Sequence, residues 1–253
     1  MAIELNDRKK LILEAIVSDY VDTAEPVGSI TLTHHHLRKV SPATVRAEMA
    51  ELERIGLLTH PHTSAGRIPT DLGYRYYVDH IMETKTVSGR EIALIKSGFR
   101  NIGRGIEEIL RGTAKILSSV LNYVTIFAVF GQEQRKIITS GISNVLRQPE
   151  FTEVSQARNF IETIEQEDFL SRILEGYARR QSLNIHIGHE NPYRQVQDFS
   201  VAVIKCQTLG LNPGAIGILG PTRMDYNHVT SVLKYVNEEF DRLNQEVIHV
   251  RRT

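Results

Sequence analysis

Small and cationic side chains alternate along residues 41–55 in a way that suits contact with a nucleic acid. Ser41-Pro42 predicts the start of a helix, because serine caps free amides and proline fits the first helical position. We expect this helix to run from Pro42 to Ile55 and to end at Gly56. One face is apolar (Val45, Met49, Leu52), and the other is mostly alanine (Ala43, Ala47, Ala50, Arg54) with Thr44 and Arg46 on its flanks. An alanine stripe permits close approach, and the adjoining side chains can reach base edges or phosphates, as a major-groove reading helix requires.

The flanking residues predict the elements that would position this helix. A first helix begins at Asn6 and stops near Asp22–Pro26, with a predicted apolar face of Leu11, Ile12, Ala15, Ile16 and Tyr20. A short helix follows from Gly28 or Ser29 to about Leu37, with Ile30 and Leu37 buried. Leu57–Thr59 and Ile68 predict two short strands around a basic, turn-rich loop, and Thr70 or Asp71 caps a last helix with Tyr74, Val78 and Ile81 on one face. The sum predicts a winged helix-turn-helix.

The predicted DNA contacts lie on this helix and on the wing, which is the loop between the two strands. Ala43, Thr44, Arg46 and Ala47 would face the major groove, and Ser41 would offer helix amides to a phosphate. Lys39 and Arg54 would contact the DNA backbone. On the wing, His62 and Ser64 are further candidates, and Arg67 would reach the backbone or the minor groove. The alternative is a ligand- or protein-sensing interaction module whose winged domain binds protein.

Other constellations carry weaker signals. His34-His35-His36 and His60-x-His62 resemble metal ligands in residue type, but consecutive helical residues point in different directions and no cysteine lies nearby. We therefore predict no metal and no cofactor. Thr222 and Arg223, between a strand and a helix start, form a candidate anion or ligand site; alternatively Arg223 pairs with Asp225 or Glu190. We find no nucleophile elbow and no glycine-rich phosphate loop, so an enzyme is not expected.

Composition indicates an ordinary globular protein of two domains. The 253 residues include 30 basic and 30 acidic side chains, and 41% are hydrophobic. By segment, residues 1–84 carry a net −3, 85–136 carry +5 and 137–253 carry −2. The acidic balance of the first segment predicts that its basic groups are concentrated on one face. Cys206 has no cysteine partner in the chain, and the absence of a long apolar run favours a cytoplasmic protein.

The second half predicts an α+β sheet domain. A helix from about Asn101 to Leu121 leads into a strand over Val124–Phe130, and Ile137–Ile142 predicts another strand. A capped helix near Ala157–Ile164 continues into Phe169–Ala178. Strands follow over Asn184–Ile187, Phe199–Cys206 and Ala215–Leu219, the last two flanking a turn. The final helix, from Asp225 to about Val247, has an apolar face of Val229, Val232, Leu233, Val236 and Phe240.

Several long motifs resemble one family. Ala24–Ser29, Ser41–Arg46, Pro61–Thr70 and Gly73-Tyr74-Arg75 closely resemble the N-terminal domain of the heat-inducible transcription repressors of the HrcA family. Similarity continues through the C-terminal half, and its motifs are Gly141–Asn144, Pro149–Phe151, Ile187–Glu190 and Gly217–Tyr226. The resemblance therefore covers nearly the whole chain.

The resemblance implies a bacterial repressor that binds, as a homodimer, an inverted-repeat operator upstream of chaperone genes. It also implies release on heat stress, with the chaperonin helping to keep the repressor active. By resemblance the second domain is GAF-like. We thus predict a winged helix-turn-helix DNA-binding domain over 1–84, a linker or connecting helix over 85–100, and a GAF-like regulatory and dimerisation domain over 101–253.

The chain departs from the family in one respect. Family members usually carry a further inserted domain between the strand corresponding to Tyr123–Phe130 and the Gly141-Ile142-Ser143 motif, whereas about ten residues join them here. That insert takes part in dimerisation in the family. The chain is then either a naturally compact form that dimerises through what remains, or a form from which the segment has been deleted.

Overall fold

The chain divides into two compact units. A computed structural model describes residues 3–62, 65–83, 85–100, 106–131, 135–179, 182–207 and 213–250, without the side chains of 106, 135 and 243–250. The first unit comprises residues 1–83 with 223–225, and the second comprises 84–222 with 226–253. The functional domain assignment made from the sequence stays a prediction.

The first unit contains four helices and a pair of two-residue strands within its described part. Their bounds are α1 Asp7–Thr23, α2 Ser29–His35, α3 Pro42–Arg54, β1 Leu58–Thr59, β2 Ile68–Pro69 and α4 Asp71–His80. Polar side chains begin three of the helices, as their sequence predicts. Asn6 Oδ1 accepts from the Lys9 amide at 2.9 Å, Ser41 Oγ from the Thr44 amide at 3.1 Å, and Thr70 Oγ1 from the Gly73 amide at 3.0 Å. Gly56, at φ +82°, has the left-handed conformation expected after α3.

A small apolar core joins these helices. It consists of fully buried side chains from α1, α2, α3 and the segment after α3: Ile12, Leu13, Ile16, Leu32, Val45, Leu52 and Leu57. Two predicted core residues are wrong, because Leu11 is 52% exposed and Ile30 is 59% exposed. Leu11 lies in the apolar run Leu11-Ile12-Leu13, and Ile30 lies two residues before Leu32, so helical periodicity alone permits more than one choice of buried residue. Packing selects Ile12, Leu13 and Leu32 instead. Leu37, Val78 and Ile81 are only partly buried.

A backbone bridge before α2 does not follow from the sequence. Val27 forms an antiparallel bridge with Arg67, and both of their amides donate to the opposite carbonyl at 2.9 Å. The neighbouring Gly66 lies so close that a Cβ there would be 2.5 Å from the Val27 carbonyl carbon. The β1–β2 loop (residues 60–67) is therefore held at its C-terminal end by the backbone before α2.

The second unit is a five-stranded antiparallel sheet with helices. Its elements are α5 Gly89–Arg100, α6 Ile106–Leu121, β3 Val124–Phe130, β4 Arg135–Ser140, α7 Ile142–Val145, α8 Val154–Glu165, α9 Glu167–Ala178, β5 Leu183–Ile187, β6 Phe199–Gln207, β7 Pro213–Pro221 and α10 Tyr226–Val250, with 3-10 turns at Pro149–Phe151, Gly188–Glu190 and Arg194–Val196. The strand order is β4-β3-β7-β6-β5. Cys206 pairs with Gly214 and Lys205 with Ala215, which confirms the predicted β6–β7 hairpin. The α+β class is confirmed.

Helices cover both faces of this sheet. Phe127 on β3 packs against Phe240 of α10, with ring centroids 5.4 Å apart. Ile126, the preceding residue on β3, points to the other face and pairs with Gly217. A Cβ on Gly217 would lie 2.5 Å from Leu174 Cδ2 of α9. Helices α9 and α10 therefore lie on opposite faces, and the core of the unit has three layers.

The predictions for one strand and one helix in this unit need correction. The predicted strand Ile137–Ile142 ends at Ser140, because Gly141 turns the chain at φ +87° into the short helix α7. The predicted continuous helix after Ala157 is interrupted at Gln166, and α8 begins without the predicted side-chain cap. Residues 101–105, at the start of the predicted Asn101–Leu121 helix, lie outside the described residues.

Two other sequence expectations concern the environment of the protein. In the described part of the chain, no helix combines the length and apolar character needed to span a membrane. Cys206 is buried in β6, and burial, with the charge of Asp241 added, raises the pKa of its thiol. The thiol stays protonated at neutral pH, so it is a poor nucleophile.

Candidate nucleic-acid interface

The first turn of α3 is fixed by its own side chains. Ser41 Oγ accepts from the Thr44 amide at 3.1 Å and lies 2.8 Å from Thr44 Oγ1. Pro42 follows at the first helical position, as the sequence predicts. Ser41 is exposed and Thr44 partly so. The start of α3 is thus ordered at the surface, and its free amides face an accessible region.

The alanine face of α3 is open. Ala43, Ala47 and Ala50 are exposed, whereas Val45, Met49 and Leu52 on the opposite side are buried. Arg46 is exposed, and within the described residues it makes no hydrogen bond or ion pair. Because alanine side chains project little from the helix, an external acceptor can approach this face closely, and the Arg46 guanidinium beside it can form a bidentate contact with that acceptor.

Two acidic residues of α3 are paired with cations of α1. Lys9 Nζ lies 3.1 Å from Glu48 Oε2 and 3.1 Å from Glu51 Oε2, and Arg8 lies 3.7 Å from Glu48. The hydrogen bonds that Lys9 donates to Glu48 and then to Glu51 hold the pKa of Lys9 above its ordinary value. These pairs reduce the negative charge that α3 would otherwise present, so the acidic balance of the segment does not prevent binding of an anion.

The remaining predicted contact residues fall into two groups. Lys39, in the turn before α3, and His62 are exposed, and Arg54 has a side chain that is 73% exposed with Glu51 at 3.8 Å. Arg67 differs, since its side chain is only 24% exposed and its Nε lies 2.8 Å from Glu53 Oε2. The Nε–H does not point at that oxygen, so the contact is an ion pair. Ser64 lies outside the described residues.

Glu53 was not among the contact residues predicted from the sequence. Its Oε1 makes a short contact with His60 Nδ1, while its Oε2 is the oxygen that meets Arg67. One signal could have indicated it: Glu53 is seven residues after Arg46, and hence on the same side of α3 two turns later. The partners, however, depend on the return of the chain after Gly56, which periodicity does not describe.

The histidines take part in contacts with carboxylates. His36 Nε2 lies 2.7 Å from Asp19 Oδ1, and His60 contacts Glu53. Across the residues described, no group of three or more His, Cys, Asp or Glu side chains is placed to hold a metal ion.

Thr222 and Arg223 have protein partners. The Thr222 carbonyl accepts a hydrogen bond from the Tyr226 hydroxyl. Arg223, which belongs to the first unit, is 6% exposed and donates from Nη1 to the Val21 carbonyl oxygen at 2.7 Å. Burial and a backbone acceptor give Arg223 a structural role, and an anion site at these residues stays a prediction.

Comparison with known proteins identifies the family. The family model described as the HrcA protein C-terminal domain matches residues 84–230. The chain belongs to the HrcA family. Two relatives are each named heat-inducible transcription repressor HrcA. The protein of Desulforamulus reducens is 29% identical over 343 aligned positions, which cover 97% of this chain and 99% of the relative. The protein of Pelotomaculum thermopropionicum is 27% identical over 343 positions, with the same coverage.

These alignments confirm that the chain is a short form of the HrcA family. The aligned length is 343 positions and the chain has 253 residues, so at least 90 positions have no residue here. A solved crystal structure of a hypothetical protein covers 96% of this chain and 100% of its own, with a TM-score of 0.74 and 17% identity. At that identity the likeness concerns the fold alone.

Proposed function

We propose that the chain is a heat-inducible transcription repressor that binds double-stranded DNA with its first unit. The observation that carries the proposal is the exposed alanine face of α3, with Arg46 available beside it and the neighbouring glutamates paired. Membership of the HrcA family supports the repressor role. We further propose that this unit is a winged helix-turn-helix, with α3 as the reading helix and the β1–β2 loop as the wing.

The contacts divide by what they would read. Ala43, Thr44, Arg46 and Ala47 face the major groove, where the guanidinium of Arg46 reads a base edge. Ser41 presents the start of α3 to a phosphate, and Lys39 and Arg54 contact the backbone. His62 and Ser64 belong to the wing. Arg67 contacts DNA only through the exposed part of its side chain, because Glu53 holds the rest.

The second unit would regulate and pair the repressor. We propose that it is a GAF-like domain, supported by its three-layer arrangement around an antiparallel sheet. We also propose a homodimer on an inverted-repeat operator of chaperone genes, since one reading helix contacts only a half-site. Release on heat stress and modulation by the chaperonin complete the proposal. Such a repressor catalyses no reaction and acts where the chromosome lies, in the cytoplasm.

The test is a binding titration of the full chain on an inverted-repeat operator duplex of the family and on a scrambled duplex, with and without chaperonin. Arg46→Ala should weaken specific binding by about 1–3 kcal/mol and relax the sequence preference at one position per half-site. Thr152→Ala, an exposed change in the second unit, serves as the control. An unchanged binding isotherm for Arg46→Ala would contradict the assignment of α3 as the reading helix. Binding of a protein ligand without salt-dependent DNA binding would favour the alternative interaction module.

A further inference from the structure

We infer that Glu53 is a positioning residue that sets the orientation of the β1–β2 loop relative to α3, and thereby the sequence specificity of DNA binding. This inference rests on the proposed function. Glu53 lies in the last turn of α3, and its side chain is 24% exposed. Its two carboxylate oxygens have different partners, and both partners belong to the β1–β2 loop.

The two partners lie at opposite ends of that loop. His60 directly follows β1 and contacts Oε1, and Arg67 directly precedes β2 and meets Oε2 at 2.8 Å. One carboxylate therefore ties both ends of the loop to the same turn of α3. When one carboxylate bridges two cationic or donor groups, ordering that single side chain restricts the positions of both partners.

The main chain and the side chain of Arg67 are held by different segments of the first unit. Arg67 exchanges two hydrogen bonds of 2.9 Å with Val27, and Gly66 lies against the Val27 backbone with no room for a side chain. The Arg67 main chain is thus fixed to the segment before α2, while its side chain is fixed to α3. Release of Glu53 would remove the side-chain link between the loop and the reading helix. The backbone bridge would then hold this end of the loop without that link, and we expect it to open more often.

An acidic residue at this place needs an explanation. Glu53 is on the same side of α3 as Arg46, where a bare carboxylate would repel phosphates. The charge of Arg67 offsets that of Glu53, so Glu53 can position the loop with little repulsion of phosphates. The sign of the effect separates two roles: removal of an unhelpful charge would tighten DNA binding, whereas removal of a positioning group would weaken specific binding.

The deciding variant is Glu53→Gln in the full chain, with Glu51→Gln as the matched control. Glu51 lies on the same helix but pairs with Lys9 and Arg54, away from the loop. We expect Glu53→Gln to lose about five- to tenfold in affinity for the operator duplex, with no loss on the scrambled duplex. Glu51→Gln should keep or slightly increase both affinities. Equal or tighter operator binding by Glu53→Gln would overturn the inference.

A double variant tests whether Glu53 acts through Arg67. If it does, the double variant Glu53→Gln with Arg67→Gln should lose no more operator affinity than the single variant that binds the operator less tightly. If the two residues contributed independently, the fold losses in operator affinity of the single variants would multiply in the double variant. That outcome contradicts the inference. Melting curves of all variants check that the fold is retained.

Hydrogen exchange without DNA separates failure of this inference from failure of the proposed function. The amides of Val27 and Arg67 should exchange faster in Glu53→Gln than in the wild type, and should be unchanged in Glu51→Gln. If the wild type does not distinguish the operator from the scrambled duplex, the proposed function fails while this result can still stand. Unchanged exchange in Glu53→Gln would overturn the positioning role itself.

Discussion

Glu91 shows how one carboxylate can join two helices within the second unit. It accepts from the Ser88 amide at 3.0 Å and from the Ser88 hydroxyl, which caps the start of α5, and its other oxygen meets His228 Nε2 of α10 at 2.5 Å. Burial acts to raise the pKa of Glu91. The hydrogen bonds from Ser88, with His228 added, outweigh burial and hold that pKa below its ordinary value.

A pH-dependent loss of stability follows for Glu91→Gln. A carboxyl group with a depressed folded pKa stabilises the fold above its unfolded value, near 4.5, and this contribution is lost as pH falls through the folded pKa. We expect the variant to be less stable by about 1–2 kcal/mol at pH 7, with the difference shrinking towards pH 3. Urea unfolding at both pH values measures it. Glu165→Gln, at an exposed carboxylate of α8, should show little change at either pH, and a pH-independent loss in Glu91→Gln would contradict the argument.

At the scale of elements, close backbone approach decides how α4 meets the segment after α3. Gly73, in the first turn of α4, lies against Leu57, and a Cβ there would be 2.0 Å from the Leu57 carbonyl oxygen. That carbonyl also accepts from the Thr70 amide at 3.1 Å, so it cannot move without breaking its hydrogen bond to the N-cap residue of α4. A side chain at position 73 must push α4 away from the core.

We therefore expect Gly73→Ala to destabilise the first unit by about 1–3 kcal/mol, the usual range for overpacking. Gly28→Ala is the matched control in the same unit, because its nearest atom, Thr31 Oγ1, is 3.8 Å away. That variant should change stability by less than about 1 kcal/mol. Urea unfolding curves provide the comparison, and similar midpoints for both variants would refute the steric explanation.

Local chemistry explains which elements the sequence predicts well. Ser41, Pro42 and Gly56 act on their own neighbours, so the bounds of α3 follow from them within one residue. Contacts made at a distance along the chain do not follow in this way. The bridge of Val27 to Arg67 and the partners of Glu53 depend on how the loop returns. The exposure of Leu11 and Ile30 depends on which nearby apolar residues of each helix pack into the core.

At the scale of the whole molecule, net charge is a poor guide to binding. The chain sums to zero and its first 84 residues to −3, yet the acidic groups of α3 are engaged by Lys9, Arg8 and Arg67. Two of the cations that the proposal assigns to DNA, Lys39 and Arg46, are exposed and have no charged partner within the described residues. The arrangement of charges, rather than their sum, favours an anionic partner.

Salt titration tests this at the scale of the complex. Operator affinity should fall steeply between low and moderate salt, with a slope set by the number of phosphates contacted. Lys39→Ala should reduce that slope by about one and weaken operator and scrambled duplexes alike. Lys115→Ala, at an exposed position of α6, should leave the slope unchanged. A slope that does not respond to Lys39→Ala would remove this residue from the interface.

The β3–β4 hairpin has a consequence for how the family can vary. Phe130 and Arg135 are cross-strand partners, so the two strand ends at this point are only about 5 Å apart. A folded module whose own termini lie close together can be accommodated at such a site, or removed from it, while the six cross-strand pairs between Thr125 and Ser140 keep their register. A lineage can therefore gain or lose the module in one genetic event without a compensating change in the sheet. The size of a repressor is then free to evolve separately from the stability of its core.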